Sequence, residues 1–121
     1  MHINLDFYYY LAATDEVIKC DFNRWQALAK EHGTCQVVKK NTIKLTCGDD
    51  VEVSTICLMC DHNYFTKKPL IFETMLFSDN TEYDGKQRRA STLAEAKKNH
   101  SKFVEEIKKS KERKNEGTSH M

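Results

Sequence analysis

Two apolar runs constrain this chain more than any other feature of it. The first covers residues 51–60 and holds Val51, Val53, Ile56, Cys57, Leu58 and Met59. The second covers residues 70–77 and holds Leu70, Ile71, Phe72, Met75, Leu76 and Phe77. Both are rich in β-branched and aromatic residues, and turn formers bound both, so both read as strands. Neither alternates cleanly between apolar and polar, which predicts burial on both faces. The polar residues suited to chemistry sit between and after these runs.

The rest of the chain supplies partners for them. Residues 6–11, with Phe7, Tyr8, Tyr9 and Tyr10 in succession, predict a strand, and residues 17–20 its short antiparallel return. Asp21 suits a helix N-cap, because its carboxylate accepts the free N–H groups of the first turn. Phe22, Trp25, Leu28 and Ala29 then recur at helical spacing up to His32, and Gly33 stops the helix. Residues 34–39 and 42–47 predict two strands separated by a turn at Lys40-Asn41. Residues 87–89 close the strand set. A last helix starts at Thr92, where Thr92 and Glu95 fit a capping box. Leu93, Ala96, His100, Phe103 and Ile107 share one of its faces. The expected fold is α+β: an antiparallel sheet of about six strands covered on both faces by an early and a late helix. Residues 1–108 form one domain, and composition predicts that the charged stretch 109–121 is disordered.

Charge is unevenly placed. Residues 1–85 carry 8 Lys/Arg against 13 Asp/Glu, a balance of −5, and residues 86–121 carry 11 against 5, a balance of +6. Such a dipolar chain suits an anionic ligand at its second half, or a head-to-tail copy of itself. A solvated basic helix accounts for the same numbers. The five cysteines are odd in number and follow no secretory signal pattern, which predicts free thiols in a reducing cytosol. No apolar stretch approaches the roughly 20 residues of a membrane span.

Several side chains invite a chemical reading. Cys57 and Cys60, with His62 and Cys47, have the composition of a zinc site. Positions three apart in a strand point to opposite faces, however, so core thiols are the better account. Asp61-His62 ends a strand at a loop, but no nucleophile elbow accompanies it. Glu73 interrupts an apolar run and must find a partner: Arg88, Arg89, solvent or a ligand. Tyr64, Phe65, Lys67 and Lys68 share one loop, with Arg88 and Arg89 on a later strand. Aromatics stack on bases and guanidinium forks match phosphate, so this set suits a nucleotide. Phosphate-loop and dinucleotide-fold signatures are absent. His100 lies on the apolar helix face, where a core role and, near Glu95, a site role both stay open.

One succession of motifs is recognisable. Val53-Ser54-Thr55 leads into Asp61-His62. Pro69 and the run through Phe77 follow, then Arg88 or Arg89, then residues 91–96 and His100. Over residues 51–107 this resembles the first-described Thoeris anti-defence family, small phage-encoded proteins. Phe72-Glu73-Thr74-Met75 and the Thr92, Glu95, Ala96, His100 spacing are its most specific parts. The resemblance implies a sheet with one early and one late helix. It also implies a sponge rather than an enzyme. Members capture the cyclic ADP-ribose isomer made by a host TIR-domain protein, at sites between protomers of a homo-oligomer, and some hold other cyclic nucleotides in separate sites. The chain departs from the pattern after Phe77, where Ser78-Asp79 replaces expected glycines; a different shape is expected for the loop from Asp79 to Lys86, which leaves the ligand preference open.

A sponge in the host cytoplasm needs roughly nanomolar affinity, about −12 kcal/mol. Phe77 or Tyr64 and Phe65 are the expected stacking groups. Arg88, Arg89 and Lys67 are the expected phosphate contacts. Glu73, Asp61 and His62 suit ribose hydroxyls or the fixing of arginines. No cofactor, metal, membrane span or stable nucleic-acid complex is expected. Two other classes stay in view: a phage hydrolase or nuclease using His62 or His100, and a protein-binding inhibitor of a host complex.

Overall fold

The computed structural model describes residues 6–60 and 68–119, with side chains described through Ser110. Its elements run β1 (Phe7–Leu11), β2 (Glu16–Cys20), α1 (Phe22–His32), β3 (Val37–Lys44), β4 (Asp50–Cys57), β5 (Phe72–Ser78), β6 (Gln87–Ala90) and α2 (Leu93–Ser119). The fold is α+β with antiparallel strands and an early and a late helix. The strands divide into two sheets: a β1–β2 hairpin, and a four-stranded meander in the order β3-β4-β5-β6.

The hairpin and α1 form one packing unit. Asp21 caps α1 by accepting the Arg24 N–H at 2.8 Å. Gly33 ends the helix at φ 100°, a conformation that a side chain would strain, and its N–H returns to the Ala29 carbonyl. Tyr9 packs edge-on against Trp25, with ring centroids 5.8 Å apart, and its hydroxyl donates to the Gly33 carbonyl at 2.6 Å. The Trp25 indole N–H donates to the Tyr8 carbonyl at 3.0 Å. Two devices stitch this unit to the larger sheet. The Tyr8 N–H donates to the Met59 carbonyl beyond β4. The Gln36 side chain acts as a short strand, accepting from the Tyr10 N–H at 2.6 Å and donating to its carbonyl at 3.1 Å.

In the meander, register separates two faces. Burial along β4 alternates strictly, with Val51, Val53, Thr55 and Cys57 buried and Glu52, Ser54 and Ile56 half-buried. The buried face meets α2, which lies across all four strands. Phe103 and Ile107 pack with Ile43, Leu45, Val51, Val53, Leu76 and Tyr83. Ala96 packs with Phe72 and Ala90 nearer the helix start. The expectation that two helices cover both faces of one sheet is therefore corrected: of the two helices, α1 packs on the hairpin and α2 on the meander. The polar residues within the runs, Glu52, Ser54 and Glu73, mark the second face.

A second correction concerns β3. It runs through Lys40-Asn41 without a turn, because neither residue breaks a strand and both pair with β4, Lys40 with Ser54 and Asn41 with Val53. The capping box holds. Thr92 Oγ1 accepts the Glu95 N–H at 3.1 Å, and the Glu95 carboxylate accepts the Ser91 N–H at 3.4 Å. The backbone of α2 is helical to Ser119, past the Lys108 position where composition alone predicts fraying. Once a helix is nucleated by packing, Lys, Glu and Arg propagate it well.

Adjacent residues of β5 measure the difference between the faces. Leu76 has no exposed surface and Phe77 keeps 47% of its own. Leu76→Ala should cost about 2–5 kcal/mol of unfolding free energy, and Phe77→Ala under about 1 kcal/mol. Urea titration of both variants checks this; equal costs would contradict the assignment of faces.

Candidate ligand-binding face

The second face of the meander, over which no described element packs, is a grid set by strand register. One row is Ile56, Glu73 and Arg89; the next is Lys40, Ser54, Met75 and Gln87; the third is Thr42, Glu52 and Phe77. Two ion pairs cross it. Arg89 Nε donates to Glu73 Oε2 at 3.1 Å. Lys40 Nζ meets Glu52 Oε1 at 2.8 Å, and that carboxylate holds the Lys40 ammonium above its ordinary range. Phe77 stands exposed at one end and Met75 half-buried in the middle.

The Glu73 side chain is only 14% exposed. Desolvation of that carboxylate is offset by Arg89, and the pair in turn fixes the guanidinium. A guanidinium carries five N–H donors, and among the described residues only Nε is engaged. The terminal amino groups are thus held above the face with donor capacity left. Glu73 and Phe77 lie four residues apart on one strand, about 13 Å, with Met75 between them. The face can hold an anion at one end and an aromatic plane at the other.

The structure divides the residues that the sequence singled out. Glu73, Phe77 and Arg89 share the open face. Arg88 lies on the opposite face, 4.5 Å over the Phe103 ring, with Nη2 donating to Glu106 Oε1 at 2.9 Å. Successive strand residues point to opposite faces, so Arg88 and Arg89 do not form one phosphate clamp within a protomer. Asp61, His62, Tyr64, Phe65 and Lys67 lie outside the described residues. Lys40, Glu52, Met75 and Gln87 were not singled out. Lys40 was hidden by the expected turn, and the others become neighbours of Glu73 only once register is known.

His100 is inside the protein, with no exposed surface. Its Nδ1 lies 2.8 Å from Thr55 Oγ1, and Thr55 Oγ1 lies 2.6 Å from Thr74 Oγ1. Its Nε2 lies 2.7 Å from Asn41 Oδ1. The neutral ring satisfies every contact when Nε2 donates to Asn41 and Nδ1 accepts from Thr55, which in turn accepts from Thr74. Both ring nitrogens are thus engaged, and the histidine joins α2 to β3, β4 and β5 rather than facing a ligand. Burial, with Lys39 adding repulsion, pushes its pKa below the usual 6.5. Cys57 is equally inert: burial pushes its thiol up to about 12. Among the described residues no group of three or more His, Cys, Asp or Glu is placed to hold a metal ion.

Because the folded pKa of His100 is depressed, the folded state binds fewer protons than the unfolded chain around pH 6. Stability from the neutral ring is full above the unfolded value near 6.5 and falls as pH drops toward the folded value. Urea midpoints should therefore decline from pH 7.5 to pH 5, and His100→Gln should flatten that slope while lowering overall stability. An unchanged slope in the variant would remove His100 as its source. Comparison of the chain with protein-family models, with curated proteins and with solved structures finds no match.

Proposed function

We propose that this chain binds a cyclic ADP-ribose isomer, the signal of a host TIR-domain defence protein, and sequesters it intact. The observation that carries the reading is the half-buried Glu73–Arg89 pair set along one uncovered sheet face from exposed Phe77. Phe77 offers a plane for the base. Arg89 offers donors for a phosphate, and the second Glu73 oxygen offers an acceptor for a ribose hydroxyl. The spacing suits a ligand of dinucleotide size. It agrees with what the resemblance in residues 51–107 implies, capture of a cyclic ADP-ribose isomer.

Among the described residues nothing encloses this face, and nanomolar retention needs most of the ligand surface buried. A second protomer laid over the face supplies the missing wall. The proposed working unit is therefore a homo-oligomer in the cytoplasm of the infected host, with the ligand between copies and other cyclic nucleotides in separate sites. Hydrolysis by His100 has no support in the geometry, since the ring is sealed and both nitrogens are engaged.

Titration calorimetry with the TIR-derived isomer tests the assignment. Wild-type protein should bind stoichiometrically. Phe77→Ala should lose about 1–3 kcal/mol of binding, and Arg89→Ala should abolish detectable binding. Arg88→Ala should stay within a few-fold of wild type. Full affinity in Arg89→Ala would sink the proposed site.

A further inference from the structure

A second feature of the fold stands apart from the open face and does not depend on the reading above. β6 is the outermost strand of the meander, and among the described residues β5 is its one neighbour. The Leu76 N–H donates to the Lys86 carbonyl at 2.9 Å. From that pair the antiparallel alternation makes Thr74 and Arg88 the next bonded pair. The N–H and C=O groups of Gln87 and Arg89 therefore point outward, away from β5. These are the groups that an added strand bonds.

α2 forms a wall beside this edge. It runs antiparallel to β6: Ala96 packs near Ala90, and Tyr83, just before β6, donates its hydroxyl to Ser110 Oγ at 2.8 Å. Between strand and helix lies a cleft of about 460 Å³ lined by Arg88, Asn99, Lys102, Glu105, Glu106 and Lys109. Side-chain parity decides what an added strand presents there. The residue opposite Arg88 shares its face and points into the cleft.

Charge then selects the occupant. Lys86, Arg88 and Arg89 lie along the edge, and Lys102 and Lys109 stand on the wall beside Glu105; Arg89 is paired with Glu73, so Lys86, Lys102 and Lys109 are the cations there without an ion pair among the described residues. Glu106 is already engaged by Arg88. A second copy of β6 fits badly. A two-fold axis through the sheet keeps the faces matched, and centred on Gln87, Arg88 or Arg89 it sets Lys86 against Arg88, Arg88 against Arg88, or Arg89 against Arg89; like charges directly opposite are destabilising. A strand bearing carboxylates on alternate residues meets cations instead. We propose that the β6 edge and α2 form a receptor groove for an extended, carboxylate-rich peptide segment of a protein partner, added to the sheet as a further strand.

The probe is a fluorescent ten-residue peptide alternating Glu and Thr, with a Lys–Thr peptide as control. The full chain should bind the Glu peptide at least tenfold more tightly. The +6 balance of residues 86–121 attracts the Glu peptide wherever it lands, so the site is read from the exchange pattern and from the double variant below rather than from the affinity ratio alone. Amide exchange at Gln87 and Arg89 should slow at least tenfold on binding, while Arg88, already in the ladder, changes little. Lys102→Glu with Lys109→Glu, both at surface positions, should weaken binding at least tenfold. No binding, equal binding of the two peptides, or unchanged exchange at Gln87 and Arg89 would overturn the proposal.

Discussion

His100 reaches three strands from one helix position. Through Asn41 it holds β3, through Thr55 it holds β4, and Thr55 passes the contact to Thr74 on β5. A buried network of this kind is stable only when every member is satisfied, because each unpaired donor or acceptor costs about 1–3 kcal/mol. Among the described residues no buried side-chain nitrogen or oxygen lacks a partner. The network therefore admits one docking position for α2. Much follows from that position. One sheet face is closed by Phe103 and Ile107, and no described element closes the other. Arg88 is drawn over Phe103 while its neighbour Arg89 is left on the open side to pair with Glu73. Ser101 and Lys98 turn outward with the rest of the polar helix face.

The N-terminal unit is anchored to the same helix. Asp15, in the turn between β1 and β2, accepts the Tyr10 hydroxyl at 2.6 Å and pairs with Lys97 of α2. Burial and the Asp15 carboxylate push the Tyr10 hydroxyl up to about 12, and Lys97 with Tyr10 holds the Asp15 carboxyl below its ordinary range. Both Asp15 and Lys97 are about half exposed, so screening leaves this clasp a modest contribution. Its value is orientation. Together with the Met59 and Gln36 contacts it sets the hairpin beside the end of β4.

The sequence made the elements legible where the chemistry is local. Asp21 and Gly33 bracket α1, the Thr92–Glu95 box starts α2, and the β-branched runs mark β4 and β5. What it hid depends on contacts between distant residues. The runs look apolar on both sides because Ile56, Met75 and Phe77 sit on the open face among Glu52, Ser54 and Glu73, which blurs the alternation. The turn expected at Lys40-Asn41 is absent because pairing with Ser54 and Val53 outweighs weak local turn preference. Of the candidate site, Glu73 with Arg89 was one of several open partnerships, and register chose among them. His100 shows the reverse. Its place on the apolar stripe beside Glu95 leaves a core role and a ligand role open, and the structure decides for the core, with Asn41, 59 residues away, as a partner.

Sequestration is the central claim, and it makes a demand that binding alone does not: the ligand must survive. The direct measurement is to incubate the protein with the TIR-derived cyclic ADP-ribose isomer, remove free ligand, denature the protein by heat and weigh what is released by mass spectrometry. The account predicts the intact isomer at a stoichiometry near one per site. Release of a cleaved product, or of nothing, would contradict it.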